Sequence, residues 1–293
     1  MARLATMSGQ RRRRYAAAAP RTLSQPIQMH PTLVDIGLNL AHDSFDRDRS
    51  HVVESAVAAG VRHMVITGST LESSRAAIGL ARTDPHRYRA TAGIHPHHAR
   101  EFHAADVPAL RALLLEPEVG AAGECGLDYF RDFSPHEDQE RVFRQQLELA
   151  AELGMRVFLH QRDAHDAFMA ILREYRPRLA GGVAHCFTGD ERELRDYLEL
   201  GLSIGITGWI CDERRGHHLR ELLHRIPPDR LMIETDAPYL LPRDLQPKPR
   251  SRRNEPKYLP HILQTVAECR GEAVETVAQA TTHNALCFFG FEK

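Results

Sequence analysis

Two carboxylates and two imidazoles stand in one recurring context, at or near the end of a short apolar run. They are Glu124 in VGAAGECGL (119–127), His160 in RVFLH (156–160), His185 in GGVAHCF (181–187) and Asp236 in LMIETDAP (231–238). His95 and His97 close a further run, YRATAGIH (88–95). A lone His or Glu in an apolar strand is more often a hydrogen-bonded core residue than a ligand. Four in the same slot are harder to explain that way. Two nitrogen and two carboxylate donors form a hard-to-borderline set suited to Zn2+, Mn2+ or Mg2+. An ion so held makes a nucleophile from water at neutral pH and neutralises charge developing on a phosphoryl or carbonyl oxygen.

Side chains so far apart in the chain need a scaffold that brings strand ends together. From about residue 31, eight apolar runs alternate with amphipathic stretches: 33–38, 63–68, 88–95, 119–127, 156–160, 181–187, 203–208 and 231–238. Helical spacing fills the gaps, as at 47–60, 136–154 and 191–201, and several of these segments end on a Gly at the C-terminal cap. Eight strand–helix units predict a TIM (β/α)8 barrel, with a spare helix near 272–286, and barrel enzymes place their sites at the C-terminal strand ends. A doubly wound open sheet is the alternative, but its G-x-G-x-x-G turn is missing after the first strand. The domain reading is an Arg-rich tail over 1–30 and a single barrel domain over 31–293. The tail reads as disordered, or as an upstream start with Met7 or Met29 as the true one; a transit-like peptide is a further reading.

Composition narrows the function classes. The 293 residues are 42% hydrophobic and 26% charged, and no apolar run approaches the length of a membrane span. The net charge is -1, but residues 1–30 hold six Arg and no acid, so the rest carries 32 basic and 39 acidic residues. Five scattered cysteines without a CxxC pair (Cys125, Cys186, Cys211, Cys269, Cys287) fit neither a disulfide framework nor a thiolate zinc site, and suit a reducing cytoplasm. Strand alternation is expected to turn Cys125 and Cys186 away from their neighbours Glu124 and His185, outward against helices.

The blocks GIHPHHA (93–99), GECGLDYFRDFS (123–134), VFLHQRDAH (157–165), HCFTGD (185–190), GITGWICDERRG (205–216), ETDAPYLLPRDL (234–245) and SRRNEPKYLP (251–260) resemble the TatD family of metal-dependent deoxyribonucleases. The resemblance is collinear over about residues 33–291. It implies a barrel of the metal-dependent hydrolase, amidohydrolase-like type, with Glu124, His160, His185 and Asp236 as metal ligands. Most members open the first strand with an H-x-H pair, whereas here Gly37 and Asn39 hold those positions. One metal subsite is thereby weakened, so one ion, or two with the second weakly held, is expected. Mg2+ is favoured over Mn2+ or Zn2+, and Asn39 is a candidate amide-oxygen donor.

The expected roles follow from the charge on a phosphodiester. Glu124, His160 and His185 hold the ion, Asp236 orients the attacking water and accepts its proton, and His95 contacts the scissile phosphate or protonates the leaving oxygen. His97, Arg131, Arg162, Arg252 and Arg253 are candidate substrate contacts, with Arg214 and Arg215 in the same class; for each Arg an ion pair with a neighbour, such as Asp163 or Glu255, is the alternative. Tyr129, Phe130 and Trp209 could stack on unpaired bases. Asp128 reads as a partner of a ligand His or as a cap for the loop that follows, and Asp35 as such a partner or simply as the end of a strand. The resemblance implies a 3′-to-5′ exonuclease on single-stranded DNA, with RNA as a further substrate, serving DNA repair or nucleic-acid turnover; a monomer in the cytoplasm is expected. The competing readings are an amidohydrolase-type hydrolase of a small ester, lactone or amide, and a non-catalytic nucleic-acid or quality-control binding module.

Overall fold

The computed structural model describes residues 32–291, so the Arg-rich tail over 1–30 lies outside the described residues. Eight parallel strands follow one another around a sheet in sequence order. They are β1 (Leu33–Leu38), β2 (Val61–Ile66), β3 (Tyr88–Ala92), β4 (Val119–Asp128), β5 (Arg156–Arg162), β6 (Gly181–Ala184), β7 (Ser203–Ile206) and β8 (Leu231–Ile233). The first and last strands join just past their ends. Asp236 donates its N–H to the Gly37 carbonyl, and Asn39 donates to the Ala237 carbonyl, each at 2.8 Å. The predicted TIM barrel is therefore the observed fold.

A helix follows each strand: α1 (Arg49–Ala58), α2 (Leu71–Ala81), α3 (Val107–Leu114), α4 (His136–Glu152), α5 (His165–Tyr175), α6 (Glu191–Glu199), α7 (His217–Leu222) and α8 (Leu259–Arg270). Their ends follow ordinary capping chemistry. Asp190 accepts the Glu193 N–H at the start of α6, and Gly201 beyond its end takes the left-handed φ of 68°. The spare helix is α9 (Val274–Phe289). Its Ala285, Phe288 and Phe289 pack with Val34, Ile36, Val65, Ala121, Phe158, Val183 and Met232, which point into the barrel. So α9 closes the N-terminal end of the barrel, and the rest of the core lies between strands and outer helices.

Strand ends differ from the sequence expectation where backbone chemistry changes. The third run stops at Ala92, because Pro96 opens a 3-10 turn (Pro96–Glu101) that His95 caps. The sixth and eighth stop at Ala184 and Ile233, before Cys186 and Asp236, whose positive φ values (47° and 55°) break the ladder. Glu124 does not end its strand; it sits inside β4, which runs on to Asp128, and β5 likewise passes His160 to reach Arg162.

Candidate active site

The C-terminal face opens into a cavity of about 830 Å³, whose walls include Glu124, His160, His185 and Asp236 as well as His95 and His97. Glu124 is its hub. One carboxylate oxygen, Oε1, lies 2.9 Å from His185 Nε2, 3.0 Å from His160 Nδ1 and 3.2 Å from His95 Nε2. Burial works against charge on Glu124. The fields of His185 and His95, with hydrogen bonds from His160 and His185, outweigh that cost and hold its pKa well below the ordinary value. Burial also opposes charge on His160 and His185, but the facing carboxylates win and raise both rings.

This cluster gathers positive charge around a buried carboxylate, which is what a divalent cation would supply. His95, Glu124 and His160 each present a donor atom within 4.8 Å of the other two. His160 Nε2 is buried without a hydrogen bond, its nearest acid being Asp128 Oδ2 at 3.5 Å. The residues therefore fit a metal centred on Glu124, His160 and His95 or His185. Asp236 stands apart from the tight group. It faces the same cavity and accepts a hydrogen bond from Asn39 Nδ2 at 3.1 Å. Burial, reinforced by Glu124 and Glu234 and opposed by His185, pushes its carboxyl up to about 7. Asn39 thus turns its amide nitrogen, not an oxygen, toward Asp236.

Several expected roles need correction. Burial outweighs the pull of Glu124 on His95 and takes it down to about 4. Its place within the donor group makes it a ligand candidate as well as the expected contact to the phosphate or leaving oxygen. Cys186 lines the cavity, because it lies past the end of β6 with a left-handed backbone, where strand alternation no longer applies. Cys125 is buried in the core, as expected. Arg253 is not on the cavity wall; it grips both Asp48 oxygens (2.9 and 2.7 Å) and Glu255 (3.0 Å), tying the last loop to α1. Arg214 and Arg215 are drawn to Asp212. Tyr129 stacks on His136 at 3.5 Å and donates its hydroxyl to Glu140, away from the site.

Arg131, Arg162, Arg252 and Trp209 do line the cavity, and among the described residues these three arginines carry no ion pair. Arg162 lies 3.8 Å over the Phe130 ring, and Arg215 lies 4.4 Å over Trp209, so two Arg–aromatic pairs flank the opening. His97 is held by Asp128 Oδ2 at 2.7 Å. Asp128 also caps the loop that follows, as anticipated, its other oxygen accepting the N–H groups of Phe130 and Arg131. Phe133 and Tyr239, about half exposed at the rim, were not singled out from the sequence.

Glu234 was also missed. It is fully buried; Oε2 sits 3.2 Å from His185 Nδ1 and Oε1 accepts the Cys186 N–H, so it fixes the ring that faces Glu124. Two glycines make room for it. A Cβ on Gly37 would lie 2.2 Å from Glu234 Oε2, and one on Gly205 would lie 2.5 Å from Oε1. The Gly at the first position of the H-x-H pair is thus the space that Glu234 fills.

Comparison with known proteins decides the family. A model described as TatD related DNase matches residues 34–290. The chain belongs to the TatD-related DNase family. A relative from Escherichia fergusonii named 3′-5′ ssDNA/RNA exonuclease TatD is 53% identical over 258 residues, covering 88% of this chain and 99% of its own length. A Salmonella typhimurium relative of the same name is 51% identical over 257 residues, 88% of this chain and 98% of its own. Among solved structures, a TatD family hydrolase from Entamoeba histolytica superposes with a TM-score of 0.82 at 25% identity, over 90% of this chain and 100% of that one. The TatD homologue YJJV from Escherichia coli K12 gives 0.80 at 27%, over 88% and 98%.

Proposed function

We propose that this chain is a metal-dependent nuclease that trims single-stranded DNA, and RNA as a second substrate, from the 3′ end. The observation that carries the reading is the convergence of three imidazoles on Glu124 Oε1 inside a cavity flanked by unpaired arginines and exposed aromatic rings. The activity printed in the names of relatives 51–54% identical supports the same substrate class. A role in nucleic-acid turnover or repair fits that chemistry. The five free thiols suit a reducing cytoplasm.

Glu124, His160 and His185 would hold the ion, with His95 and Asp236 as further donors. A divalent ion bound there would supply charge neutralisation for the phosphodiester and acidify water, and a set of three imidazoles and two carboxylates admits Mn2+ or Zn2+ as well as Mg2+. Asp236 takes the proton of the attacking water on Oδ2, since Oδ1 already accepts the Asn39 amide. Asp128 and Glu234 hold His97 and His185 in orientation. Arg131, Arg162 and Arg252 grip phosphate oxygens, while Trp209, Phe133 and Tyr239 offer ring faces that unpaired bases can stack on and paired bases cannot.

Incubating the protein with 5′-labelled single-stranded DNA and Mg2+ or Mn2+ should give a ladder shortening from the 3′ end that EDTA stops. Uncut DNA with retained binding would favour a binding module. Uncut DNA with metal-dependent hydrolysis of a chromogenic ester would favour a small-ester hydrolase.

A further inference from the structure

Away from the catalytic cavity, three side chains of different donor chemistry meet where the loops after β7 and β8 pass α8. Cys211 ends the 3-10 turn Gly208–Cys211 after β7, Asp244 lies in the loop after β8, and His261 is in the first turn of α8. One ligand atom from each lies within 4.8 Å of the other two. His261 Nε2 is 2.6 Å from Asp244 Oδ1, and Cys211 Sγ is 3.4 Å from Thr265 Oγ1, one turn along α8 from His261. Cys211 is fully buried, whereas the Asp244 and His261 side chains are 37% and 32% exposed.

We propose that Cys211, Asp244 and His261 form a second metal site, selective for Zn2+ or a similar transition ion, that fastens the loop after β8 to the turn after β7 and to α8. A sulfur, a nitrogen and a carboxylate oxygen make a borderline-soft set that favours Zn2+ and Co2+ and disfavours Mg2+. A His–Asp ion pair accounts for two of the three groups, and the buried Cys211 thiol, with Thr265 Oγ1 as its hydrogen-bond partner, brings a sulfur donor within reach of that pair. On coordination the thiol gives its proton to solvent, and water reaches the exposed side to complete a four-ligand shell. The donors are already held in register. Arg243, the neighbour of Asp244, reaches Asp212 and Glu213, which directly follow Cys211, at 3.6 Å each. Arg220 is the cation on the opposing side, and its Nε is engaged by the Ile210 carbonyl at 3.0 Å. The fastened loop runs between Tyr239 and Arg252, both on the catalytic cavity wall, so the ion would steady two substrate contacts from outside the site.

The test uses the whole protein, stripped of metal and titrated with Co2+. A thiolate-to-cobalt absorption band should appear in the near ultraviolet and be complete by two equivalents, one of them for the catalytic site, and it should vanish when Zn2+ is added. It should persist in Cys186→Ser, which removes the cysteine of the catalytic cavity, and be lost in Cys211→Ser. His261→Gln, at a part-exposed position with little consequence for folding, should weaken Zn2+ at least about tenfold. A wild-type protein without the band, a band that survives Cys211→Ser or disappears in Cys186→Ser, or unchanged Zn2+ affinity in His261→Gln overturns the proposal.

Discussion

One oxygen of Glu124 within about 3 Å of three imidazoles concentrates the chemistry, and its neighbours set the protonation of the site. Asp236 is the residue poised to take a proton, since burial makes its carboxyl more basic than usual. Asp236→Asn is expected to cut turnover by roughly 10²–10⁴-fold while single-stranded DNA still binds; steady-state kinetics with a binding titration checks both. Asp35 offers a pH test of the same polar interior. Burial pushes it up to about 7, against hydrogen bonds from Thr235 and Gly37. The folded state therefore keeps a proton that the unfolded chain has released, so stability is full below about pH 4 and falls as pH rises toward 7. Asp35→Asn, uncharged and nearly isosteric, should flatten that decline in urea midpoints between about pH 4 and pH 7. At this scale the four ligand candidates were legible because strand ends of a barrel share one face. Glu234 was not, because its role depends on space left by Gly37 and Gly205 across the barrel, a relation invisible along the chain. For Arg253 the alternative prevails: the Glu255 ion pair forms, and Asp48, some 200 residues away and not visible along the chain, joins it.

At the scale of elements, the strand–helix alternation was readable because apolar runs and helical spacing have different periods. Strand ends were not, because His95, Cys186 and Asp236 leave the ladder through a proline or a left-handed backbone rather than through a change in polarity. Residues held at positive φ beside a catalytic cavity store strain of order 1–3 kcal/mol each, maintained by the packing around them. The spare helix was legible as a helix and not as a plug. Phe289 is buried against the barrel interior, and the backbone of Gly120 approaches it so closely that a Cβ there would meet the Phe289 carbonyl at 2.8 Å. Phe289→Ala should therefore destabilise the fold by about 3–5 kcal/mol in urea denaturation, with kcat changed little in the folded fraction.

On an otherwise acidic body a small binding footprint is expected. Arg131, Arg162 and Arg252, without an ion pair among the described residues, face the cavity. With two or three phosphates neutralised, log K for single-stranded DNA should fall with log salt at a slope of about −2, and a slope several times steeper would show a much longer binding track. The sequence left each loop Arg between a substrate contact and an ion pair, and the folded chain was needed to show that Arg214, Arg215 and Arg253 take the ion pair. The central claim is that Glu124 anchors the ion that makes 3′-end hydrolysis possible. It is tested most directly by Glu124→Gln, with Mn2+ binding followed by calorimetry and trimming of 5′-labelled single-stranded DNA measured on the same sample. Loss of the Mn2+ site together with a fall in kcat/KM on the order of 10³-fold or more, at unchanged circular dichroism, is the predicted result. Wild-type trimming by a variant that no longer binds Mn2+, or that binds it as tightly as before, would contradict the account.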